Sequence, residues 1–112
     1  MSEYGNNAEI TGSLEVDGEI DLGTGDDNVD IDTGTLYVDA ANDRVGIGTS
    51  SPSTSAILEI SSSSKGVMLP RVLEASKPTA TSALNGLMLY EEDTHRLKIV
   101  ANGAWQTISY EG

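Results

Sequence analysis

The sequence predicts an all-β chain made of short strands. Three observations carry that expectation. Ile10, Gly12, Leu14, Val16, Gly18, Ile20 and Leu22 share one parity, while Glu15, Asp17, Glu19 and Asp21 take the other. Such a period of two marks β structure with one buried face, whereas a helix needs apolar spacings of three and four. Gly or Asn/Asp breaks then recur every eight to twelve residues, the rhythm of successive short strands. Finally, Asn102-Gly103 separates two apolar runs. Both residues tolerate positive φ, so this dipeptide is a strong signal for a type I′ hairpin turn.

The elements follow in order. Residues 1–9 are a lead-in, and residues 10–22 form strands that Gly12 and Gly18 bend. Gly23 to Asn28 is a turn cluster. Val29 and Ile31 resume the alternation, and Thr33-Gly34-Thr35 turns the chain into Leu36, Val38 and Ala40. Ala41 to Arg44 turns again before Val45 and Ile47. Ser50 to Ser55 is a linker in which Pro52 removes a ladder donor. Ala56, Leu58 and Ile60 make another short strand, and Ser61 to Ser64 is a loop. Val67 to Arg71 is an apolar, strand-like run that stops at Pro70-Arg71. Residues 72–85 hold a short helical turn or an irregular loop. Leu87–Tyr90, Arg96–Val100 and Ala104–Ser109 form a three-stranded meander with turns at Glu91–His95 and Asn102-Gly103. The chain divides into an acidic, repetitive β-helical or intertwined base (1–48), a Ser/Thr/Pro-rich connector with one short strand (49–65) and a C-terminal β cap (66–112). Leu87, Leu89, Tyr90, Leu97, Ile99 and Trp105 are the expected core of the cap or of the trimer.

With 112 residues, no Phe, one Trp and four Tyr, a lone copy has little with which to fill a core. An intertwined oligomer that shares core residues between chains is therefore favoured. There is no cysteine, so disulfides and thiolate metal sites are excluded. Residues 1–56 hold 12 acidic residues and one basic residue, Arg44, and the whole chain carries a net charge of −12. Phosphate backbones are bound by Lys and Arg, so no nucleic-acid partner is expected. The acidic half is expected either to meet a basic partner or cations or, the favoured reading, to keep a repetitive β surface in solution. Met1 to Tyr4 lacks the basic and apolar character of a signal segment, and no apolar run approaches membrane-spanning length. A soluble chain with no membrane partner is expected.

No constellation supports a reaction centre. Leu22 to Val29 approaches a calcium-binding nonapeptide, but Leu22 stands where a glycine belongs and there is one copy only. Asp26, Asn28, Asp30 and Asp32 imitate the start of an EF-hand loop. Ile31 then occupies its glycine position and Tyr37 its bidentate glutamate position. Gly46-Ile47-Gly48 lacks the third glycine and the helix of a dinucleotide fingerprint, and reads as a tight β corner. His95 is the sole histidine, without a G-x-S-x-G elbow or zinc partners. Paired glycosidase carboxylates lack a deep aromatic cleft to serve. Trp105 and Tyr90 read as a plug for the cap rather than a stacking platform. No catalytic, metal-ligating or cofactor-binding residue is assigned.

From about Val38 onward, an ordered series of motifs resembles a module of tailed-bacteriophage appendages: tail fibres, head fibres and related structures. Its elements are Asn42-Asp43-Arg44-Val45-Gly46-Ile47-Gly48-Thr49-Ser50-Ser51-Pro52, then Ala56 to Ile60, then Ser64-Lys65-Gly66-Val67-Met68-Leu69-Pro70-Arg71. Asn85-Gly86-Leu87-Met88-Leu89-Tyr90, Thr94, Leu97 and Asn102-Gly103-Ala104-Trp105 complete it. The resemblance implies a non-enzymatic virion protein and an intertwined homotrimer. Its further partner would be the major capsid protein or another virion protein. The short chain points to capsid decoration, cement or a head fibre at a three-fold position, where trimer and site symmetries match. The alternative is a short tail fibre or a receptor-binding tip.

Overall fold

The structure, a computed structural model, describes residues 9–20 and 28–109. The chain divides into two compact units, Met1–Ser63 and Ser64–Gly112. Each contains one four-stranded mixed sheet, and no α-helix occurs among the described residues. The all-β expectation is met.

The first sheet has the order β1 (Val29–Ile31), β2 (Leu36–Asp39), β3 (Arg44–Ile47) and β4 (Leu58–Ile60). The β1–β2 and β2–β3 pairs are antiparallel, and β3–β4 is parallel. Residues 32–35 make the first turn, with Asp32 and Thr33 at φ 55° and 41° and Gly34 at 87°. Asp30 Oδ1 accepts from Gly34 N at 2.7 Å, and the Thr35 hydroxyl donates to Asp32 Oδ2 at 2.8 Å. Asn28 Oδ1 accepts from Ala40 N at 3.0 Å. Asn28, Asp30 and Asp32 thus hold turns together with oxygens that an EF-hand would spend on calcium. The rest of the calcium-like stretch and the Gly23–Asp27 turn lie outside the described residues.

Gly46 and Gly48 form the tight corner that the sequence predicts. A Cβ on Gly46 would meet Thr49 O at 2.3 Å and Pro52 Cγ at 3.0 Å. One on Gly48, which sits at φ 79°, would meet Ser61 O at 2.2 Å. Only glycine allows these approaches. They let the 49–57 linker fold back over Gly46, so that β4 aligns with β3.

Residues 9–20 differ from expectation. They form no strand, they bend at Thr11-Gly12 and Asp17-Gly18, and all are exposed. The two glycines adopt φ 120° and 122°. Alternation defines a face, but a ladder also needs a partner strand, and the described chain offers none there.

The second sheet has the order β5 (Arg71–Val72), β6 (Met88–Glu91), β7 (Arg96–Ala101) and β8 (Ala104–Thr107). The β6–β7–β8 meander is antiparallel as predicted, and β5 adds a parallel edge. The Asn102-Gly103 turn has φ 52° and 75°, the signs of type I′. The Val67–Arg71 expectation is corrected: residues 65–70 form no strand, and the strand begins at Arg71 rather than ending there. Pro70 cannot donate, but its carbonyl accepts from Tyr90 N at 2.9 Å and thereby starts the pairing. The 73–87 crossover contains two 3₁₀ turns, Glu74–Ser76 and Ser82–Leu84, as the irregular reading of 72–85 anticipates.

Candidate subunit interface

Strand register assigns each side chain of the second unit to one face of its sheet. Leu89 pairs with Lys98, Glu91 with Arg96, and Val100 with Trp105. These residues share the inner face. The crossover lies over it: Trp105 Nε1 donates to Pro78 O at 2.8 Å, and Lys77 Nζ lies 5.8 Å from the indole centroid. Val100 and Glu91 are 0% and 1% exposed, and Leu89 is also buried.

Glu91 is the polar centre of this face. Lys77 Nζ donates to its Oε2 at 2.5 Å, and the Thr94 hydroxyl donates to its Oε1. The Lys77 bond, then the Thr94 bond, hold the carboxyl below the usual carboxylate range against the opposing effect of burial. A buried charge is tolerable when it is paired and fully hydrogen-bonded. This ion pair fastens the crossover to the sheet, and Asp93 Oδ1 adds a bond from Glu74 N at 2.9 Å.

The opposite face is largely apolar, with Gln106 opposite Ile99 as its polar member, and is only partly covered. Met88 pairs with Ile99, Tyr90 with Leu97, and Ala101 with Ala104. Val67, Met68 and Leu69 border Tyr90 and Leu97 in a shallow groove with Arg71 at its side. Met68 is 75% exposed, and Met88 and Ile108 also reach solvent. Soluble surfaces seldom leave a contiguous apolar stripe bare, so such a stripe marks a contact.

The six expected cap residues therefore fall into separate places. Leu89 and Trp105 lie on the inner face, with Trp105 half-buried. Tyr90, Leu97 and Ile99 lie on the outer one and are half-buried there. Leu87 precedes β6 and is exposed. Gly86 N donates to Val100 O and Val100 N to Leu87 O, so Gly86 and Leu87 both oppose Val100 at a bulge. Parity alone separates 89 from 90, a signal that was present in the sequence. Glu91 and Lys77 are fourteen positions apart in the chain, and nothing local in the sequence pairs them.

His95 closes the β6–β7 loop at φ 57°, beside Arg96. Asp43 has φ 56° at the corresponding place before Arg44. Both fill a left-handed position that Asp and His tolerate better than most residues. No group of three or more His, Cys, Asp or Glu side chains that could hold a metal occurs among the described residues. No helix among them is long and apolar enough to cross a membrane.

The model of a family described as a phage tail like trimerisation region matches residues 46–112. No curated protein and no solved structure matches the chain.

Proposed function

We propose, because the chain belongs to the phage tail-like trimerisation family, that it is a structural subunit of a tail-like appendage on a phage or phage-like particle. The family carries the trimer and the particle setting. The finer reading concerns how the trimer forms and where it sits. Three copies meet through the partly covered, largely apolar face of the second sheet, with Tyr90, Leu97 and Ile99 at the contact and Met68 and Met88 at its border. Leu89 and Trp105 stay within each copy, as the core behind that face. The mechanism is burial: each copy removes its apolar stripe from water against two others, and no reaction is catalysed.

The observation that supports this reading is the coincidence of two facts. The residues matched as a trimerisation region include a sheet face that its own chain covers only in part, with Tyr90, Leu97 and Ile99 half-buried and Met88 and Ile108 exposed. The same family description favours the tail-like appendage, a short fibre or host-recognising tip, over capsid decoration. Gold-labelled antibody on purified particles tests the location. Label confined to the tail end is expected, whereas label spread over the head would restore the decoration reading. Light scattering on a Leu97→Asp variant tests the contact. The expected result is a shift from three chains per particle towards one chain of 11.7 kDa.

A further inference from the structure

The first sheet has a face that the proposed contact does not use. Val29 pairs with Val38, Ile31 with Leu36, Leu36 with Ile47 and Val38 with Val45. Val45 then pairs with Leu58, and Ile47 with Ile60. The resulting face is wholly aliphatic. It is also largely exposed: Ile31 and Leu58 are 52% and 51% exposed, Leu36, Ile47 and Ile60 are exposed as well, and Val29, Val38 and Val45 are half-buried. Asp30, Tyr37, Asp39, Gly46 and Glu59 occupy the other face.

The β2–β3 hairpin repeats the β6–β7 hairpin residue for residue. Asp39 opposite Arg44 corresponds to Glu91 opposite Arg96, and each pair closes a four-residue loop whose last residue is left-handed. Val38 opposite Val45 corresponds to Tyr90 opposite Leu97. Leu36 opposite Ile47 corresponds to Met88 opposite Ile99. The aliphatic face of the first hairpin is thus the counterpart of the outer face of the second. It is also continuous with the matched trimerisation region, which begins at residue 46 and so contains Ile47, Leu58 and Ile60.

We infer that the aliphatic face of the first sheet is a second self-association surface, occupied by the same sheet of two other copies. The trimer contact then extends towards the N-terminus, past the matched region, to Val29. Charge selects this occupant. Copies of a chain with net charge −12 repel one another wherever their acidic faces meet. The aliphatic face carries no charge, and it leaves Asp30, Asp39 and Glu59 turned away from the contact. This inference rests on the trimer reading above.

The absence of cysteine makes single-cysteine variants of the full chain a clean test. Val38→Cys and Ile31→Cys place a thiol on the aliphatic face, and Asp30→Cys places one on the acidic face. A short bismaleimide should join chains of the two face variants into covalent dimers, leaving the third chain of each trimer without a partner. Asp30→Cys should stay unlinked and react at once with a bulky maleimide. A trimeric mass combined with unlinked, freely labelled Val38→Cys and Ile31→Cys would overturn the inference and leave the trimer reading standing. A monomeric wild-type chain would overturn both.

Discussion

The two hairpins repeat the same pattern of outer-face pairs, each in its own unit, and differ in what lies behind it. Behind β6–β7 stand Leu89, Val100 and the Lys77–Glu91 ion pair, sealed by the 73–87 crossover. Behind β2–β3 stand Tyr37, Asp39 and Gly46, with Thr49 and Pro52 of the linker and Glu59 of β4 close by. Here Glu59 Oε1 accepts from Ser53 N at 2.7 Å, and the linker is held by this bond and by Pro52 buried against Gly46, with no large aliphatic side chain buried beneath it among the described residues. The second unit therefore has a small core of its own. Among its described residues the first has no large buried aliphatic side chain, so its stability depends far more on what covers its aliphatic face. The same strand register serves two economies of folding, one partly autonomous and one dependent on partners.

Core truncation is the strongest way to break this contrast. Leu89→Ala should destabilise the second unit by about 2–5 kcal/mol, as expected for a buried leucine. Tyr37→Ala, at the matching place in the first hairpin, should cost clearly less, because Tyr37 is only half-buried. Urea denaturation of both variants measures the difference, and equal losses would erase the distinction.

A backbone change probes the first unit where its weakness is offset. Gly48→Ala must hold a left-handed φ and meet the Ser61 carbonyl. It should cost roughly 1–3 kcal/mol and release β4 from β3, which amide hydrogen exchange at Ser61 would report. Protection at Ser61 equal to that of the parent chain would show that the corner relaxes freely.

The smallest effect sharpens the comparison through pH. The carboxyl of Glu91 titrates lower in the folded chain than in the unfolded one. Its contribution is therefore fully present above the ordinary glutamate pKa of about 4.3 and is lost as pH falls from there through the lower folded value. Glu91→Gln should flatten the acid side of the stability profile of the second unit and leave the first unit unchanged. A profile with an unaltered acid slope would assign that slope to other carboxylates.

Much of this architecture was legible in the sequence because it is local. Alternation and turn residues fix β1 to β3 and β6 to β8, and Asn102-Gly103 adopts the turn its chemistry demands. The parallel partners were not legible. Arg71-Val72 and Leu58–Ile60 are placed by distant strands, and a short apolar run does not name its neighbour. The face assignment lay between these cases. The residues expected in the cap or trimer core divide by parity, Leu89 and Trp105 on one side of the sheet and Tyr90, Leu97 and Ile99 on the other. Residues 9–20 show the converse, a clear pattern with no ladder in the described chain to receive it.

The mixture of antiparallel and parallel pairing orders the events of folding. The four-residue loops and the two-residue Asn102-Gly103 turn close at low entropic cost. The 48–57 and 73–87 connections must be drawn in before β4 and β5 can pair. Hairpins thus form ahead of completed sheets. Each carries its apolar stripe from the moment its strands zip together, while the parallel edges are still unpaired. A nascent copy is consequently adhesive before it is finished. For such a chain, local concentration during synthesis governs whether the stripes find copies of themselves or something else.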